Sequence, residues 1–176
     1  WRDDNGHVRE GVFVPRRDSG SRLVWLSGGR IFPGVHHHSR FEVADADGRM
    51  SMRICAGSDP APLLDIEVRE SDHFPGDSVF DSLEDSSRFF ESGCSGYSLG
   101  RDSCSAEGLL LKTLRWEVRP LRVDALRSAY FEDRAVFPAD SIAFDHALLM
   151  RDIPHEWHSQ PGIPLTSRAP EAGPQR

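Results

Sequence analysis

Phe41-Glu42-Val43-Ala44-Asp45-Ala46-Asp47-Gly48-Arg49-Met50-Ser51-Met52-Arg53-Ile54-Cys55-Ala56 reads as two strands joined by a tight turn. The turn is Asp45-Ala46-Asp47-Gly48, and Asp-Gly is its strongest signal, because a two-residue hairpin needs positive φ. Strand side chains alternate between faces. On the returning strand, Met50, Met52 and Ile54 therefore share one face. Leu63 to Arg69 repeats the pattern, with Leu64, Ile66 and Val68 on one face and Asp65 and Glu67 opposite.

Working outward, the chain continues to read as strands. Val35 to Val43 leads into the hairpin. Ser21 to Leu26 precedes it, followed by a turn at Gly28-Gly29. Gly11-Val12-Phe13-Val14 is a short apolar run ended by Pro15. One helix interrupts: Ser82-Leu83-Glu84-Asp85 resembles a capping box with Asp in the acidic position, Phe89 and Phe90 supply apolar positions, and Gly93 caps the end. Strands resume at Gly96 to Leu99, Gly108 to Val123, Arg127 to Phe131 and Ile142 to Met150. From Gln160 on, Pro and Gly dominate. The reading is one domain over residues 1–160 and a disordered tail over 161–176. Many strands with one or two short helices indicate a β-barrel or sandwich.

The chain has 176 residues and a net charge of −7, which argues against nucleic acid as a partner, since that wants a basic stripe. No run of 18 apolar residues is present, so no transmembrane helix is expected. Cys55, Cys94 and Cys104 are odd in number and lack metal-finger spacing, which fits a reducing, cytoplasmic setting. The chain begins at Trp1 rather than methionine. The expectation is that an N-terminal piece carrying one or two strands is missing. A homo-oligomer is compatible with all of this.

Lys112 is the only lysine, beside 20 arginines. If Leu109 to Val118 is one strand, Lys112 shares a face with Leu110, Leu114, Trp116 and Val118. Such a lysine either lies along the wall with its tip in water or is a desolvated amine of lowered pKa, able to form a Schiff base. His146 repeats the pattern, among Ile142, Phe144, Leu148 and Met150. His37 lies on the more apolar face of its strand, with Val35, Ser39, Phe41 and Val43. These three suggest a shared interior pocket. His36 and His38 point the same way and form half of a metal site, with Glu42 as the nearest third ligand. They equally suit a polar wall. His155-Glu156-Trp157-His158 reads as a capping segment over the barrel end. Arg30 and Arg40 are the arginines best placed to hold a carboxylate bidentately. Gly93-Cys94-Ser95-Gly96 carries a thiol better read as inert than as a nucleophile.

Gly29-Arg30-Ile31-Phe32-Pro33-Gly34-Val35-His36-His37-His38 resembles the "domain of unknown function 2071" family. So do Ser78-Val79-Phe80-Asp81-Ser82-Leu83-Glu84, Gly96-Tyr97-Ser98, and Ala147-Leu148-Leu149-Met150-Arg151 with His155-Glu156-Trp157-His158. The resemblance covers residues 1–160. It implies the acetoacetate-decarboxylase-like fold, a closed antiparallel β-barrel with an internal cavity. Those decarboxylases carry their Schiff-base lysine in a Gly-aromatic-Pro-Lys motif. Gly96-Tyr97-Ser98-Leu99 is the counterpart here, with Leu99 where the lysine would stand.

The expected function is the binding of a small organic anion in a β-barrel pocket shaped by Arg30, His37, Arg40, Tyr97 and His146, without a cofactor. If the protein is an enzyme, it is expected to be a keto-acid decarboxylase or related lyase, with Lys112 as nucleophile and His146 as proton donor. The residues also leave room for a metal-dependent enzyme using His36 and His38, or for a non-catalytic interaction module.

Overall fold

The computed structural model describes residues 10–22, 34–100 and 104–165. The protein is mainly β, with 49% strand and 11% helix; one sheet curls into a half-barrel and the other is open. The strands are β1 (Val12–Phe13), β2 (Arg17–Ser19), β3 (His36–Ala46), β4 (Arg49–Ala56), β5 (Pro62–Glu70), β6 (Ser95–Leu99), β7 (Ser105–Thr113), β8 (Arg119–Ser128), β9 (Ala147–Leu149) and β10 (His155–Pro164). The helices are α1 (Leu83–Ser92) and α2 (Ala129–Glu132). A four-stranded sheet runs β1-β6-β7-β10, and a six-stranded sheet runs β2-β3-β4-β5-β8-β9.

The hairpin forms as its turn dictates. Ala46 pairs with Arg49, leaving Asp47 and Gly48 as a two-residue loop. Both have positive φ, 53° and 71°, the type I′ geometry that Asp-Gly favours. β5 adds antiparallel to β4, with Met50 opposite Val68 and Met52 opposite Ile66. Val68 and Leu121 are buried on neighbouring strands. Each contributes roughly 1.5–3 kcal/mol by leaving water. The distal half of β3 projects beyond this core, so Phe41 and Val43 are exposed despite sharing a face with buried Ser39.

Tyr97 joins the strands of the other sheet. Its ring lies against two glycines: a Cβ on Gly11 would stand 2.9 Å from Tyr97 Cε2, and one on Gly108 only 2.7 Å from Cε1. Gly108 is the direct cross-strand partner of Tyr97. The ring occupies the space their side chains would take, which explains glycine in a strand interior. β10 lies at the edge of this sheet, with a register shift between Gln160 and Ile163 and prolines at 161 and 164.

α1 starts where Ser82 Oγ accepts from the Asp85 amide at 3.1 Å, as expected. Gly93 follows with φ −86°, outside the left-handed region, and its amide donates to Phe90 O at 3.1 Å.

Several expectations are corrected. Gly108 to Val123 is two strands rather than one: β7 stops at Thr113, which pairs with His155. The preceding Pro154 has no N–H to extend the ladder. The run Arg127 to Phe131 turns into α2, where Tyr130, Phe131 and Phe137 stack with ring centroids 5.2–5.4 Å apart. Only Ala147–Leu149 of the run Ile142 to Met150 is strand. His155-Glu156-Trp157-His158 is edge strand, not a cap. β10 continues to Pro164, inside the segment expected to be tail. Ser21 to Leu26 and the turn after it fall almost wholly outside the described residues, as does 166–176.

Candidate functional site

Two sites emerge from the side chains. The first is a cleft of about 260 Å³ lined by Pro15, Arg17, Val35, His37, Ser98 and Leu99, among others. β2 and β3 pair in parallel, with Arg17 beside His36 and Asp18 beside His37. Alternation then separates the two charges of β2. Asp18 accepts from Arg16, at 2.9 Å from Nε, and from the buried Ser39 hydroxyl at 2.5 Å. It is thereby taken up elsewhere, and Arg17 turns to the cleft.

Arg17 Nε donates to Ser98 Oγ at 2.8 Å. Its Nη2 is buried and has no hydrogen-bond partner among the described residues. Burial pushes the Arg17 pKa down, opposed by the nearby carboxylate of Glu107. Glu107 itself accepts from the Gly34 amide. Gly34 is required twice over: its φ is +82°, and a Cβ there would lie 3.0 Å from Arg17 Nε and from Ser98 Cβ. An unpaired buried donor costs roughly 1–3 kcal/mol.

The second site surrounds His146. Its side chain is 3% exposed. Nδ1 meets the Asp145 carboxylate and Nε2 meets Ser86 Oγ at 2.6 Å. Asp145 also accepts from Ser78 Oγ at 2.7 Å and from the Val79 amide at 2.9 Å. These donors, Ser78 first and then His146, hold its carboxyl below the usual range. An ionised carboxylate only accepts, so Nδ1 presents its proton to Asp145, and Nε2 lies within hydrogen-bond reach of the Ser86 hydroxyl. Phe74, Phe80 and Phe90 approach the imidazole nearly edge-on, at 4.9, 5.6 and 5.9 Å between centroids. Beside it opens an apolar pocket of about 300 Å³, lined by Phe90, Trp116, Val118, His146, Leu148 and Met150.

The expected residues are thus dispersed. His37 lies in the Arg17 cleft, His146 lines the other pocket, and Lys112 lines neither. Lys112 is exposed on β7, opposite Glu156 of β10. Its supposed apolar face dissolves because the strand ends one residue later: Leu114 is exposed, and Trp116 and Val118 belong to a loop. Tyr97 is buried as a wedge between glycines. Arg40 is exposed and pairs with Glu42 at 3.1 Å. Arg30 lies outside the described residues. His36 and His38 are half-buried on β3, and among the described residues no group of three or more His, Cys, Asp or Glu is disposed to hold a metal ion. No described helix is long and apolar enough to cross a membrane. Burial and Glu91 push the Cys94 thiol pKa up, which makes it a poor nucleophile.

Sequence reasoning misses Arg17, Ser98, Ser86 and Asp145. Arg17, Ser98 and Ser86 carry no local signal, since each matters through a partner at least 60 residues away. Asp145-His146 does carry one, an acid beside a histidine. No family description matches the chain, and no curated protein or solved structure matches it either.

Proposed function

We propose that the protein binds a small organic anion in the Arg17 cleft. The unpaired Nη2 of Arg17 carries this reading. A carboxylate lodged against the guanidinium would gain a charge-assisted bond in a partly desolvated site, and a small turn of Arg17 toward the cleft would bring the buried Nη2 to it as well. His37 supports the reading as a second polar group at the wall, and Ser98 as the residue that holds the guanidinium in place. The cleft volume suits an anion of a few carbon atoms.

The finer fold belongs to the same proposal. The curled sheet would be part of an acetoacetate-decarboxylase-like barrel; the stretches around Gly34, Tyr97 and Ala147 that resemble the "domain of unknown function 2071" family support it. The odd cysteine count, with Cys55 and Cys94 outside any disulfide, supports a reducing compartment.

Thermal denaturation in a panel of short carboxylates, 2-keto acids and inorganic phosphate tests the binding. At a hundredfold excess over Kd a ligand stabilises by about 2.7 kcal/mol. For a chain of this size that raises Tm by about 5–11 °C. Arg17→Met, which keeps the stem and removes the charge, should abolish the shift. No shift with any member, or a shift that survives Arg17→Met, would sink the reading.

A further inference from the structure

The Ser86, His146 and Asp145 chain is not needed for anion binding at Arg17, and its geometry goes further than a strut requires. We propose that it is a nucleophile centre that hydrolyses esters of short apolar acids, with the acyl chain lodged among Phe90, Trp116, Val118, Leu148 and Met150.

A serine hydroxyl becomes a nucleophile when a base within hydrogen-bond reach takes its proton and a third group orients that base. All three relations hold here. Ser86 Oγ stands 2.6 Å from Nε2. The opposite ring nitrogen is held by Asp145, whose carboxylate is fixed by Ser78 and Val79. The adjoining pocket is lined chiefly by apolar side chains, and His146 forms part of its wall. Trp116, on the pocket wall, is fixed by its Nε1 donating to Ser87 Oγ at 2.8 Å.

Ser86 itself is fully shielded from solvent. The shield is identifiable. Phe90 lies one helical turn further along α1, on the same face as Ser86, and its ring centroid is 5.9 Å from that of His146 in the pocket wall. The residue is 47% exposed, whereas Ser86 is fully covered. On this proposal, turning the Phe90 ring outward opens the way from the pocket to the hydroxyl.

The chemistry balances without a cofactor. Ser86 Oγ bonds to the ester carbonyl carbon as its proton passes to His146 Nε2. The tetrahedral intermediate collapses, the carbon–oxygen bond to the alcohol breaks, and the alcohol leaves with the proton from Nε2. Water then attacks the acyl-serine and gives its proton to Nε2. Ser86 Oγ regains it as the acid departs. Asp145 is a positioning residue, keeping Nδ1–H in place and stabilising the imidazolium.

The test is a short-alkyl fluorophosphonate, which bonds phosphorus to an activated serine oxygen and releases fluoride. Intact mass and peptide mapping should find one adduct, on Ser86, that is absent in Ser86→Ala. Phe90→Ala should speed labelling tenfold or more by removing the gate. Asp145→Asn should lower the maximal labelling rate by about a hundredfold or more, with the half-saturating reagent concentration unchanged; a merely structural role would not produce that split. No adduct on Ser86 in either the wild-type chain or Phe90→Ala overturns the proposal, as does an adduct that persists in Ser86→Ala. Should Phe90→Ala fail to fold, prolonged labelling of the wild-type chain decides alone.

Discussion

Gly108→Ala adds a single methyl group, and the structure fixes where it would go. The new Cβ would stand 2.7 Å from Gln160 Cβ on one side and 2.7 Å from Tyr97 Cε1 on the other. Ordinary carbon contacts begin near 3.5 Å. Neither neighbour yields easily. Gln160 Cβ is fixed to the β10 backbone, and the far edge of the Tyr97 ring already faces Gly11, where a Cβ would stand 2.9 Å away. Overpacking of this kind costs about 1–3 kcal/mol. Replacing a strand glycine returns about 0.5–1 kcal/mol of backbone entropy. The net loss is centred near about 1 kcal/mol and spans about 0–2.5 kcal/mol, a fall in Tm of up to about 10 °C. Thermal melts followed by circular dichroism and urea titration would measure it. Ser98 follows Tyr97 and holds Arg17, so the anion-dependent shift should shrink as well. In a Tyr97→Ala background the penalty should drop, because one of the two obstacles is gone. A Gly108→Ala protein more stable than the parent, or a penalty identical in both backgrounds, would refute the wedge.

Acid unfolding should report the depressed carboxylates. Asp45, Asp124 and Asp145 all lie below the ordinary 3.8, held chiefly by Arg151, Arg69 and Ser78 respectively. Their folded pKa values are lowered, so the stability they contribute is present above the unfolded value and is lost as pH falls through the folded one. Melting temperature should therefore decline steeply below about pH 4, and Asp124→Asn should flatten the decline; an unchanged slope would exclude the pairing. Arg151→Ala removes bonds to both Asp45 and Glu70, which links β3 to the end of β5. It should lower Tm slightly, and high salt should erase the difference, as for an exposed network. Lys112→Ala should leave both Tm and anion binding unchanged, and borohydride should trap no keto acid on Lys112 in the parent; a trapped adduct there would put Schiff-base chemistry in first place.

Local chemistry makes the central hairpin and the helix cap legible. Asp47-Gly48 and Ser82 act within a few residues of themselves, through positive φ and one amide bond. The alternation in β4 and β5 is equally clear, because apolar residues take turns with polar or charged ones along both strands. Alternation fails where a strand ends unannounced. Treating Leu109 to Val118 as one strand puts Lys112 among hydrophobes, whereas after Thr113 only the Leu114 amide still bonds, to Pro154 O, and Pro154 has no N–H to return. That information sits 41 residues away. The site is only half visible for the same reason. His37 and His146 stand out as residue types, but whether they meet depends on which sheet each joins and on the loops between. Arg17 looks like one arginine among 20. Its distinction is an unfilled valence, which exists only after folding.

The bulge and prolines of β10 have a consequence for life in a crowded cell. Among the described residues β10 bonds to β7 on one side and ends the sheet on the other. A free strand edge invites addition of another chain. Here His155 to Ser159 offers a short template, and Pro161, the register shift and Pro164 then withhold or misdirect the donors that a longer ladder would need. Templated growth into a fibre would stall within a few residues. Pro161→Thr with Pro164→Thr would lengthen the invitation, and this protein would be expected to lose solubility before it lost stability.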